Sequence, residues 1–263
     1  MRDKFFKPYV VALSLVIITT LSTTACTKKT PNTVIPVATN APAPQNGQQS
    51  TPPPPPPPPP SNSINTASPQ PDQSYPISNY TNLTSGNQLM FLYYALSGMP
   101  PDYSKIARFY SQDYRNTSDA FKQQDILKAL SPQIDLSISA AKNQRYLIWT
   151  ENYSYLGHYD FNKKSFLINS PYFQNATTTG YFNDNNGYKI KFMNGTDFAA
   201  LPVPDENLAK DIESRVSKSQ PFNIKIFCFA QNADPSDNSI DTIITRVEIF
   251  TQNGTAIASY PAK

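Results

Sequence analysis

His158 is the only histidine in the 263 residues. It is the one side chain whose ordinary pKa lies near neutrality, so it is the default proton shuttle. If residues 153–160 form a strand, Ser154, Leu156 and Asp160 share its face, and i, i+2 neighbours on a strand can touch. An Asp or Ser partner is therefore within reach. No nucleophile elbow or oxyanion loop accompanies it. The residue reads as a partly exposed strand histidine, and no catalytic residue is assigned.

The thiols are Cys26 and Cys228, too few for a disulfide-stapled scaffold or a four-thiolate metal site. Cys228 alternates with Phe222, Ile224 and Ile226, an apolar setting that raises a thiol pKa and makes it inert. The run Asp184-Asn185-Asn186-Gly187 has the flavour of a calcium loop. Phe182 would occupy its first ligand position and Met193 its twelfth, where oxygen ligands are required. Asp234, Asp237 and Asp241 can gather around a cation, but Asp-Pro-Ser-Asp is also ordinary turn chemistry. No metal and no other cofactor is expected. The eight glycines form neither a P-loop nor a dinucleotide fingerprint.

Tyrosine is the remaining signal, with 16 in the chain. It offers large, stiff contact area with a polar tip. Most of these residues read as core or rim. Tyr153, Tyr155 and Tyr159 alternate on one expected strand face and are the candidate ligand contacts.

The elements that must position these residues follow from period and punctuation. Residues 89–96 form a helix capped by Ser85 or Asn87 and stopped at Gly98. Asp102 caps a second helix reaching Tyr110, and Thr117 or Ser118 caps a third that Pro132 interrupts. Residues 134–141 form a further helix or an extended piece. Strands are expected at residues 145–150, from Tyr153 to Tyr159, and at 165–169, 188–193, 222–231, 242–251 and 255–260, with Asn253-Gly254 as a hairpin turn. A helix over residues 205–217 lies among them. The fold class is α+β, with N-terminal helices packed on a mostly antiparallel sheet.

Ahead of that domain the composition changes. Of 26 prolines, 17 lie at or before Pro76, nine of them in the unbroken run 52–60. Such a segment buries too little apolar surface to offset the entropy of ordering. The run should be a stiff polyproline II spacer. Arg2, Lys4 and Lys7 precede an apolar stretch at residues 9–21, which is too short to span a bilayer as a helix and has the flanks of a signal peptide. The organisation expected is a signal peptide over 1–25, a disordered Pro-rich linker over 26–75 and one globular domain over 76–263. From Ile77 onward 17 basic residues balance 17 acidic ones, so the net charge of +3 belongs to the leader and linker. No basic patch points to nucleic acid.

Thr24-Ala25-Cys26 resembles the lipobox of bacterial lipoprotein precursors, with Thr23 where that pattern usually has Leu. The resemblance implies cleavage behind Ala25 and acyl chains on Cys26, the lipid attachment site. Lys28 and Lys29 would then face anionic headgroups. Thr27 after the cysteine implies the outer membrane if the source has two membranes. Ordinary cleavage at the same place would instead leave a soluble protein with a free cysteine. The domain resembles uncharacterised domains of bacterial envelope lipoproteins, a likeness that assigns no functional residue. The expected partners are the membrane, through Cys26, and an unknown envelope protein or glycan. The expected function is a tethered binding or assembly domain. An envelope hydrolase or transferase acting on glycan or peptide, and a surface-displayed adhesin or antigen, are the alternatives.

Overall fold

A computed structural model describes residues 68–262, all within the second of the chain's two units, Asn62–Lys263. The expected signal peptide, the expected lipid attachment site Cys26 and the proline run 52–60 lie outside the described residues.

The helices begin where side chains can take up their free N–H groups. Ser85 and Gln88 form a reciprocal capping box at the start of α1 (Gly86–Ser97), and Gly98 ends it at φ +65°. Asp102 caps α2 (Tyr103–Tyr110). A short α3 (Gln112–Asn116), unmarked in the hydrophobic pattern, follows. The cap of α4 (Ala120–Ala141) is Asp119, not Thr117 or Ser118, and the helix runs unbroken through Pro132. Pro132 and Lys128, whose carbonyl loses its partner, both lie on the solvent side. Water can serve that carbonyl, so the helix survives. The fifth helix, α5 (Glu206–Val216), falls between strands, so the helices are not all N-terminal.

Among the described residues nine strands form one mostly antiparallel sheet, confirming an α+β architecture. They are β1 (Thr81–Asn82), β2 (Tyr146–Asp160), β3 (Ser165–Asn169), β4 (Thr179–Phe182), β5 (Asn185–Phe192), β6 (Ala200–Pro202), β7 (Phe222–Asp234), β8 (Ser239–Thr251) and β9 (Ala256–Pro261). The order is β4-β5-β8-β7-β2-β3-β6, with β1 beside β2 and β9 beside β8. Only β1–β2 and β5–β8 are parallel. Where two strands were expected, β2 is one long strand. Its first half pairs with β7 and its second half with β3.

Helix α1 lies on the inner sheet face, where Leu89, Met90 and Tyr93 meet Tyr188, Ile190, Ile224, Ile226 and Val247 in one buried cluster. Gly86 permits that approach, because a Cβ there would overlap the Asn185 carbonyl. Asp184 Oδ1 accepts the Gly86 N–H at 2.9 Å and Asn185 Nδ2 donates to Asn87 Oδ1 at 3.1 Å. The calcium-like run thus fastens α1 to β5.

The outer face is covered by chain that composition assigns to the linker. Tyr75 stacks on Tyr146 with centroids 3.7 Å apart, and Tyr80 packs edge-on against Tyr146 and Phe227. The Asp72 N–H donates to Tyr146 Oη at 2.7 Å, and Gln231 Nε2 donates to the Pro69 carbonyl at 3.1 Å. Among the described residues, ordered packing therefore extends ahead of Pro76 as far as Ser68. An aromatic pair contributes about 1 kcal/mol beyond burial and a typical hydrogen bond about 1 kcal/mol net. A chain starting at Pro76 should melt roughly 5 °C or more below one starting at Thr27. Equal melting temperatures in a thermal denaturation series would show that residues 68–75 contribute nothing.

Candidate functional site

Two irregularities in β2 decide which of its side chains face solvent. Between Glu151 and Ser154 the strand spends one residue more than β7, and between Leu156 and Tyr159 one more than β3. Tyr153 takes up the first at φ +61°. Each such bulge reverses the in-out alternation. Tyr153 and Tyr155 point outward, at 69% and 48% exposure. Tyr159 is turned toward the core, against Phe166, and its hydroxyl donates to the Val203 carbonyl at 2.9 Å. The three expected contact residues therefore do not form one stripe. Tyr153 and Tyr155 share the outer face with the half-exposed Leu167, while Tyr159 belongs to a different surface.

That surface is a groove of about 350 Å³ between α5 and the β2–β3 turn. Asp160 accepts the Asn162 and Lys163 N–H groups and fixes the turn, and Asp205 does the same for the first turn of α5. Tyr159, Phe161, Lys164 and Pro204 line one side; Glu206, Ala209, Lys210, Glu213 and Ser214 of α5, with its C-cap Ser217, line the other. These α5 positions fall at spacings of three and four, one helical face, while Ile212 turns into the core. Phe161 stands over the groove, 83% exposed and edge-on to Tyr159 at 5.1 Å.

His158 faces this region, but its partner is neither Asp160 nor Ser154. Its Nδ1 lies 2.7 Å from Glu213 Oε1. The same oxygen accepts from Ser217 Oγ at 3.1 Å, and Oε2 accepts the Tyr159 N–H at 2.9 Å. Burial works to raise the Glu213 carboxyl, but the bonds from His158, Tyr159 and Ser217 outweigh it and hold the group below its ordinary value. Glu213 therefore staples α5 to β2. Sequence alone could not pair residues 55 apart.

The other candidates are structural. Cys228 is fully buried on the inner face, and burial pushes its thiol up to about 12. Lys191 Nζ sits 3.1 Å from both Asp234 and Asp237, supplying a cation from the chain itself. Hydrogen bonds from Ser236, with Lys191, bring Asp234 down to about 2. Among the described residues no cluster of His, Cys, Asp and Glu has the arrangement of a metal site. Of the tyrosines, Tyr93, Tyr94, Tyr114 and Tyr188 are core.

One titratable group escaped the sequence reading. Glu151, two residues after Trp149, points inward at the first bulge. Ser170 Oγ donates to its Oε2 at 2.6 Å, and burial, opposed by hydrogen bonds, raises its carboxyl above the ordinary value. Its protonated form favours the fold. That contribution is full below the ordinary carboxylate pKa and is lost as pH rises through the raised one. Glu151→Gln should therefore match wild type in stability near pH 3 and exceed it at pH 7. Denaturation midpoints of both proteins across that range check the sign; a variant that is less stable at pH 7 contradicts it.

Residues 102–211 match a family model described as a domain of unknown function (DUF4852). That span runs from the cap of α2 into α5 and takes in the β2–β3 turn and the Glu206–Lys210 side of the groove, but not Glu213. No curated protein and no solved structure matches the chain.

Proposed function

We propose that this protein is a bacterial envelope lipoprotein, held to a membrane by acyl chains on Cys26, whose α+β domain binds a ligand in the groove between α5 and the β2–β3 turn. One observation carries the binding site: Phe161, a large aromatic at 83% exposure, stands over an apolar concavity instead of packing into the core. Concave, largely apolar surfaces with a few polar groups at the rim are where small ligands usually bind. Binding is favoured over hydrolysis by the state of the nearby carboxylates. Glu213 has both oxygens engaged by His158, Ser217 and the Tyr159 N–H, and Asp160 is engaged by its own turn. Glu206, the remaining carboxylate on the groove wall, has no such bonds among the described residues but stands alone, whereas glycoside chemistry uses a pair.

The anchor rests on the run Thr24-Ala25-Cys26 after a basic and then apolar leader. Several acyl chains suffice for stable attachment where one does not. Cys26→Ser should move the protein from the detergent phase to the aqueous phase. Unchanged partitioning, with no acyl mass on Cys26, would sink the lipoprotein reading.

The groove is tested separately, in cells. A benzophenone amino acid replacing Phe161 should give a discrete crosslinked species that Ser214→Trp, which plugs the groove from its exposed rim, reduces at least about ten-fold. The same probe at Phe121, equally exposed on α4, should not give that species. Identical adducts from both positions would remove the groove as the binding site.

A further inference from the structure

Helix α4 packs through one row of side chains and leaves the opposite row uncovered. Along its 22 residues only Ile134 and Ala141 are buried, and Leu127, Leu130 and Ile138 are half-buried on the same side. At 3.6 residues per turn the opposite row reads Phe121, Asp125, Lys128, Pro132 and Leu136, all exposed. Phe121 and Leu136 are 82% and 71% exposed, among the most exposed large apolar side chains described. Large apolar groups gathered on an outer helix face mark a surface that meets a partner. Among the described residues neither Asp125 nor Lys128 has an ion-pair partner.

The order of that row is self-complementary. We infer that α4 is the contact between two copies of this chain, packed antiparallel about a two-fold axis that crosses the helix between Ile126 and Leu127. In that register Asp125 faces the partner's Lys128, and Lys128 faces the partner's Asp125. Phe121 faces the partner's Pro132, one turn from the partner's Leu136. The symmetry repeats each contact, as an isologous interface requires. Parallel packing in register would set acid against acid and base against base, which disfavours it. The exposed charges flanking the row, Lys122 and Asp135, are one of each sign, and Asp135 already accepts from Tyr103 Oη at 2.7 Å. A second copy therefore supplies both the apolar cover and the opposite charges. At 1.5 Å per residue α4 is about 33 Å long. One helix pair of that length lies near the lower end of specific interfaces, so the dimer should dissociate at roughly micromolar concentration.

The test uses the full chain carrying Cys26→Ser, which keeps attached acyl chains from driving association. Sedimentation velocity over roughly 1–200 µM should show a monomer–dimer equilibrium. Asp125→Lys should weaken the dimer at least about ten-fold, and Lys128→Asp should do the same, because each sets like charges across the interface. An equimolar mixture of the two variants should dimerise again, and so should the double variant Asp125→Lys/Lys128→Asp. These positions face solvent, so the far-ultraviolet circular dichroism of every variant should match the parent's. A benzophenone amino acid replacing Phe121 should join two chains, with the adduct near Pro132 of the partner subunit. A monomer throughout the concentration range overturns the inference, and so does a dimer that both charge reversals leave intact. Charge reversals that neither the mixture nor the double variant rescues overturn the antiparallel register, as does an adduct confined to the partner's Phe121 region.

Discussion

Strand β2 has to serve two partners that lie along different stretches of it. Its first half closes the main sheet against β7, and its second half forms a hairpin with β3. A straight strand with strict alternation would carry its buried set onto the wrong face once the partner changes. Two extra residues, one at each bulge, re-aim the chain, and Tyr153 bears the cost in a left-handed conformation of about 1–3 kcal/mol. The first bulge leaves Glu151 and Ser154 facing inward. The second leaves Tyr159 packed over Phe166 and its N–H directed at Glu213. The groove, the His158–Glu213 pair and the outward tyrosines all descend from how this one strand changes partners.

Local signals were legible and non-local ones were not. The cap at Ser85, one of two candidates, the cap at Asp102 and the stop at Gly98 act within a few residues of their own chain, so composition reveals them. The alternation of β7 and β8 revealed Cys228 as a core thiol for the same reason. Tyr159 was placed with Tyr153 and Tyr155 because a bulge has no composition of its own; only the register against β3 exposes it. His158 was matched to neighbours on its own strand, whereas its partner comes from α5. Pro132 looked like a break because its effect depends on which way the side chain faces, a tertiary fact. Residues 68–75 looked like linker, because a few aromatic contacts hold a segment that propensity alone would leave loose.

Charge in the groove mirrors the domain as a whole. Lys164 and Lys210 on its walls are matched in number by Glu206 and Glu213. Hydrogen bonds from His158, Ser217 and the Tyr159 N–H favour the ionised Glu213, and Lys191 pairs with Asp234 and Asp237. The near-zero net charge over residues 77–263 is therefore a balance struck locally as well as overall.

The clasp of residues 68–75 on Tyr146 has a geometric corollary. It grips the first residue of β2, and the groove opens beside Tyr159 near the last. Those positions are 13 residues apart along the strand, about 40 Å of contour at roughly 3.3 Å per residue. The clasp and the groove thus lie at opposite ends of one strand. A pull on the chain ahead of residue 68 enters the fold through an aromatic clasp on the outer face. That clasp holds the first residue of β2, at the other end of the strand from the residues that border the groove.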